Sequence, residues 1–186
     1  MSKLLYISIL LLVISSCTSK EQTLTKKEYV QWVQNPQNGL RKKKDISDYH
    51  FEVIHKTPEY MSIQGVKNID PEMESYELQI ASNNPSVTAM DLGVTDMGQY
   101  QDKVNYFAFD FQRDIRLVVD GDSIYPTHFH FERTYDIKPY VSFDIAFKKQ
   151  DLEKERTIYI NGTRLGVGPL KFKFKDIKNT PKLKID

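Results

Sequence analysis

The sequence predicts an all-β fold, an antiparallel β-sandwich of immunoglobulin-like or related Greek-key type, with one short α-helix in front of it. Three observations predict it. Beyond Lys44 the apolar residues recur with a period of two rather than 3.6. The segments that do so are short and rich in Val, Ile, Tyr and Phe, the side chains that suit a pleated, half-buried surface. Between them stand turn residues: Asp120-Gly121 and Asn161-Gly162, which tolerate the positive φ of tight hairpins, and prolines such as Pro58, Pro85, Pro126 and Pro169. Many short strands at this spacing suit a two-sheet sandwich, with an open barrel as the alternative.

The chain opens with Lys3, an apolar run from Leu4 to Ile14, then Ser15-Ser16 and Cys17, its single cysteine. A basic start, a short apolar run and small residues make a secretory signal over residues 1–16. The run falls short of the roughly 20 residues that span a hydrocarbon core. Ile14-Ser15-Ser16-Cys17 resembles the lipobox of bacterial lipoproteins: an apolar residue, two small ones and the cysteine. The resemblance covers the leader alone. It implies diacylglycerol on the Cys17 thiol, cleavage after Ser16, a further acyl chain such as palmitate, and a mature protein anchored in a bilayer, with no other cofactor. Thr18 stands where an Asp would imply retention in the inner membrane, so the resemblance implies the outer membrane, on either its periplasmic or its surface face. Three acyl chains exceed the two signals that stable anchoring takes.

Removing residues 1–16 takes away Lys3 alone among the charged side chains, leaving 25 basic residues from the original 26 against 25 acidic ones. Such a balance gives no net field to draw the chain to nucleic acid. With Cys17 acylated no thiol remains, so the fold has no disulfide and relies on its core, for which aromatics at 12% of residues supply large side chains. Residues 17–24 read as a lipidated tether, and 25–186 as a single domain.

That domain begins at a helix signal. Thr25-Lys26-Lys27-Glu28 has the spacing of a capping box, and Tyr29, Val30, Trp32 and Val33 follow at helical spacings. Asn35-Pro36 stops the helix at about residue 34, because proline disfavours helical geometry in the residue before it, and Asn38-Gly39 is a turn. A helix of this length must pack on something to persist. Trp32 packs on its own domain or docks on a partner, and Tyr29, Trp32, Asn35, Pro36, Asn38 and Gly39 form the candidate contact surface for an envelope protein. Arg41 to Lys44 reads as a solvated linker or a run near lipid head groups.

Strands are then expected at Tyr49 to His55, Tyr60 to Gln64, Ser75 to Ala81, Val104 to Phe111, Ile115 to Val119, Thr127 to Arg133, Tyr140 to Phe147, Thr157 to Ile160 and Leu170 to Phe174. Two alternate cleanly. Phe129 and Phe131 oppose His128, His130 and Glu132, and Phe172 and Phe174 oppose Lys171, Lys173 and Lys175. The lysines suit an edge strand kept from pairing with other chains. Residues i, i+2 and i+4 share a face, so His128, His130 and Glu132 are a candidate metal set of two imidazoles and a carboxylate, one ligand short of a structural zinc site. Asp120-Gly121-Asp122-Ser123 lacks the ligand alternation and distal Glu of a calcium loop and reads as a hairpin turn.

The sequence holds no Gly-x-Ser-x-Gly elbow, Ser-x-x-Lys, His-Glu-x-x-His or phosphate-binding glycine loop. The expectation is therefore a non-enzymatic, lipid-anchored binding or assembly module of the cell envelope. The alternatives are a metal- or small-ligand-binding lipoprotein using His128, His130 and Glu132, and a hydrolase acting on envelope glycans.

Overall fold

The computed structural model describes residues 22–133, 137–151, 153–175 and 180–184; the leader, Cys17 and the first part of the tether lie outside the described residues. Among the described residues no helix is long and apolar enough to cross a membrane.

Helix α1 spans Lys26–Gln34 and starts at the expected capping box. The Thr25 hydroxyl accepts from the Glu28 amide at 3.4 Å and the Glu28 carboxylate accepts from the Thr25 amide at 2.9 Å, satisfying two amides that a helix start leaves unpaired. A 3-10 turn, Pro36–Asn38, follows and closes on Gly39 at φ +84°. Ahead of α1, β1 (Thr23–Leu24) pairs in parallel with the last described strand, β11 (Lys182–Leu183), so the end of the expected tether is tied to the domain.

The fold is mostly β, with two antiparallel sheets. One has five strands in the order β2 (Arg41–Ile46), β3 (Tyr49–Lys56), β4 (Met73–Ser82), β8 (Tyr140–Lys148) and β7 (His128–Glu132). The other has four, ordered β10 (Gly168–Phe174), β9 (Arg156–Gly162), β5 (Ile115–Val119) and β6 (Asp122–Ile124). A single hydrophobic cluster draws on both. At one end Tyr76 of β4 lies edge-on to Phe174 of β10 at 5.5 Å; at the other Phe143 of β8 sits within 5.0–5.7 Å of Phe107, Phe111, Phe129 and Phe131. The expected alternation holds in β7 and in the edge strand β10, whose Leu170, Phe172 and Phe174 are buried while Lys171 and Lys173 are exposed.

Two expected strands are helical. Residues 60–64 fall in α2 (Pro58–Ile63), where Thr57 caps the Tyr60 amide at 3.1 Å and Pro58 takes the first turn, whose amide needs no partner. Residues 104–111 continue α3 (Met97–Asn105), capped by Asp96 on the Gln99 amide, into a π-helical turn over Tyr106–Asp110 and a 3-10 turn over Phe111–Asp114. Val104, Phe107 and Phe111 are buried at spacings of three and four, the helical period, whereas alternation through this stretch separates no polar face from an apolar one.

Two further expectations are corrected. The basic run Arg41 to Lys44 is part of edge strand β2, and Arg41 and Lys43 both pair with Glu52 of β3, which is only 3% exposed. A run of lysines also keeps an edge from templating another chain. Asp120-Gly121 is a hairpin turn with both φ positive, at +52° and +90°, but Asn161-Gly162 is not. Those two residues still pair with Pro169 and Gly168, and the chain reverses over 163–167. Gly162 is required instead by close approach, since a Cβ there would overlap the Gly168 carbonyl and the Val167 methyl.

One polar group lies deep in the core. Arg156, fully buried, donates to Glu74 at 2.7 Å and to the carbonyls of Asp151 and Lys154. His55 packs beside it, 4.9 Å from the Tyr76 ring, and burial, helped by the Arg156 charge, pushes its pKa down to about 3.

Candidate functional site

The inner face of the five-stranded sheet builds the core, so period two leaves its other face lined by the intervening residues. Register brings these into cross-strand rows. Arg41, Ile54, Glu77, Asp144 and His130 make one; Lys43, Glu52, Gln79, Ser142 and Glu132 make the next. This outer face is not bare. The end of α1 contributes Gln34, α2 and the turn after it contribute Tyr60, Gln64 and Val66, and Lys138 and Tyr140 stand at the start of β8. Together they enclose a trough of about 530 Å³ whose floor is Ile54, Glu77, Gln79, Ser142 and Asp144.

Its carboxylates are all partnered within the fold. Lys56 donates to Asp144 at 2.8 Å, Gln79 to Glu77 at 2.6 Å, and both Ser142 (2.6 Å) and Lys138 (3.2 Å) to Glu132. The Ser142 hydroxyl, followed by Lys138, holds the Glu132 carboxyl below the usual carboxylate range, and that bond in turn raises Lys138. Burial raises the Tyr60 phenol. The lining therefore carries three cations (Arg41, Lys56, Lys138) and three anions (Glu77, Glu132, Asp144), a formal sum of zero.

A second cavity of about 500 Å³ continues past Lys56, Val66 and Asp144. Met61, Ile69, Met73 and Ala146 make it more apolar, and Thr127 and His128 stand beside it. A third, of about 400 Å³, lies away from this face among Tyr49, Lys103, Tyr106 and Arg164. Its cations are committed: Lys103 donates to the Leu92 carbonyl at 2.6 Å, and Arg164 pairs with Asp110 and lies 4.1 Å from the Tyr106 ring centroid. Burial lowers the Lys103 pKa to about 8.

His128, His130 and Glu132 share the exposed face of β7, as alternation requires. Among the described residues no three His, Cys, Asp or Glu side chains form a group able to hold a metal ion, and the Glu132 carboxylate is occupied by Ser142 and Lys138. Glu132 instead lines the polar trough and His128 the apolar cavity.

The α1 contact surface also changes. Tyr29 has no exposed area and its hydroxyl bonds to Thr57 at 2.8 Å, so it faces inward. Trp32 is half-buried, packed on the core beside Tyr29, and its carbonyl accepts from Asn38. Asn35 and Pro36 are exposed, Asn38 and Gly39 half-buried. Asn35 directly follows Gln34, and so lies next to the trough.

Sequence reasoning missed most of this site. Its one accessible signal was β4, where Glu77 and Gln79 alternate with the buried Tyr76, Leu78 and Ile80. The fold and site define a mostly β protein with a polar trough across the outer face of its larger sheet. No protein-family model, curated protein or solved structure matches the chain.

Proposed function

We propose that this protein is a lipid-anchored, non-enzymatic binding or assembly module of the bacterial cell envelope, held in the outer membrane by acyl chains on Cys17, and that the trough is its binding surface. The two sheets are read as layers of one antiparallel sandwich, immunoglobulin-like or of a related Greek-key type. The shared core supports this, as does the path of the chain, which passes from β4 to the smaller sheet at β5, returns at β7 and leaves again at β9. The leader supports the anchor.

The observation that carries the binding reading is the trough itself, a concave surface on which polar groups from two helices and a sheet converge, and concavity with convergent polar groups is a feature of ligand sites. Anchoring raises the effective concentration of such a surface toward neighbours in the same membrane.

The test is fractionation combined with site-specific cross-linking in cells. Wild-type protein is expected in the membrane fraction and Cys17→Ala protein outside it. A photo-reactive residue at Gln64, on the rim, is expected to form an adduct, and one at Lys171, on the edge strand of the other sheet, is not. Equal labelling from both positions, or none from Gln64, refutes the trough as the binding surface. Unchanged membrane retention of Cys17→Ala refutes the anchor.

A further inference from the structure

From the chemistry of the trough we infer that its ligand is an uncharged oligosaccharide. The inference rests on the trough being the binding surface and adds what it binds.

Each carboxylate on the lining has its own donor, and the cations and anions cancel. An anionic ligand would have to compete with Asp144 for Lys56, with Glu132 for Lys138 or with Glu52 for Arg41, and a cationic one would have to displace Lys56 or Lys138 or take Glu77 from the Gln79 amide. The penalty falls on Lys56, whose side chain is 10% exposed: parting it from Asp144 forfeits their attraction and leaves a partly desolvated charge uncompensated. A hydroxyl group meets no such obstacle. It donates and accepts at once, so it can give its proton to a carboxylate while accepting from the neighbouring ammonium or amide.

The layout repeats this combination. Two residues along a strand advance about 6.6 Å, so the acceptor row of Glu77 and Asp144 and the row of Gln79 and Ser142 lie about that far apart, a spacing comparable to one sugar ring.

An extended peptide is disfavoured by the same geometry. Strand addition needs free backbone groups at a sheet edge, whereas the floor belongs to β3, β4 and β8, whose backbones are paired on both sides. The adjoining apolar cavity, entered past Lys56 and Asp144, suits an apolar substituent on the sugar.

The test uses the full-length lipoprotein in lipid nanodiscs, titrated with neutral glucan, mannan, galactan, xylan and chitin oligosaccharides, with uronic-acid oligosaccharides and with cationic and neutral peptides. At least one neutral oligosaccharide is expected to bind. Because neither partner carries net charge, its affinity should change less than about twofold between roughly 0.05 and 0.5 M salt. Glu77→Ala should weaken it about tenfold or more, the loss of a hydrogen bond to a charged group, and Gln79→Ala about two- to tenfold, the loss of a neutral one. Gln64→Trp, an exposed change on the rim, should block it while leaving the melting temperature unchanged, which separates loss of the site from loss of the fold. A preference for uronic-acid or cationic ligands that fades with salt overturns the inference. So does silence toward every neutral oligosaccharide while Gln64 still cross-links in cells, and that outcome leaves the binding surface standing.

Discussion

Replacing Arg156 by methionine keeps most of the side-chain volume but removes the cation from beside Glu74, which is 4% exposed, and takes the donor from the carbonyls of Asp151 and Lys154. Removing one partner of a buried ion pair costs about 3–5 kcal/mol, because the other charge stays buried and uncompensated. In a domain of this size each kcal/mol moves the midpoint by about 2–4 °C, so a fall of roughly 6–20 °C is expected. The assay is urea unfolding followed by circular dichroism, with an unchanged slope identifying a change in stability rather than in the unfolded ensemble. Burial already raises the Glu74 pKa and Arg156 opposes the rise, so the variant's Glu74 should rise further. A carboxyl with a raised folded pKa holds a proton that the unfolded chain releases, so its contribution is fully present below the unfolded value and is lost as pH rises from there through the folded value. The deficit of the variant should accordingly be smaller at pH 4 than at pH 7. The double variant Arg156→Met/Glu74→Leu, with no charge left to strand, should recover most of the loss. A single-variant cost below about 1 kcal/mol, or a double variant no better than Arg156→Met, would refute the reasoning.

Two further outcomes are expected. His55 titrates near 6.5 in the unfolded chain and at about 3 in the fold, so the unfolded state binds the extra proton between those values and stability falls on acidification through that window. The slope reaches about 1.4 kcal/mol per pH unit; His55→Leu should remove it, and parallel urea midpoints for variant and wild type from pH 7 to pH 4 would sink the assignment. Gly162→Ala should destabilise by about 1–3 kcal/mol through overlap with Gly168 and Val167, despite an ordinary φ of −84°, and an unchanged melting temperature would show that the β9–β10 corner gives way freely.

What could be read from the sequence was local. Helix α1 was legible to the residue because its start and stop are set by side chains within three positions of each end. Strands β7 and β10 were legible because one face is apolar and the other charged. The helical stretches were not, because tyrosine, isoleucine and phenylalanine suit strands as well, and in α2 the cap and Pro58 outweigh that preference. Edge strand β2 carries no apolar period, since its task is to neutralise Glu52 from the neighbouring strand. The trough was the least visible part: Gln34, Tyr60, Glu77 and Asp144 meet only through strand order and register, which no spacing in the chain encodes.

The pairing of β1 with β11 has a mechanical side. It rests on backbone bonds from Lys182 to Gln22 and from Lys184 to Leu24, both 2.8 Å, and on the side chains of Leu24 and Leu183, half-buried against the core. Tension applied to the segment ahead of Thr23 meets this small clasp before it meets α1 or either sheet. Under a pull the clasp yields first, paying out a few residues of slack while the trough keeps its shape.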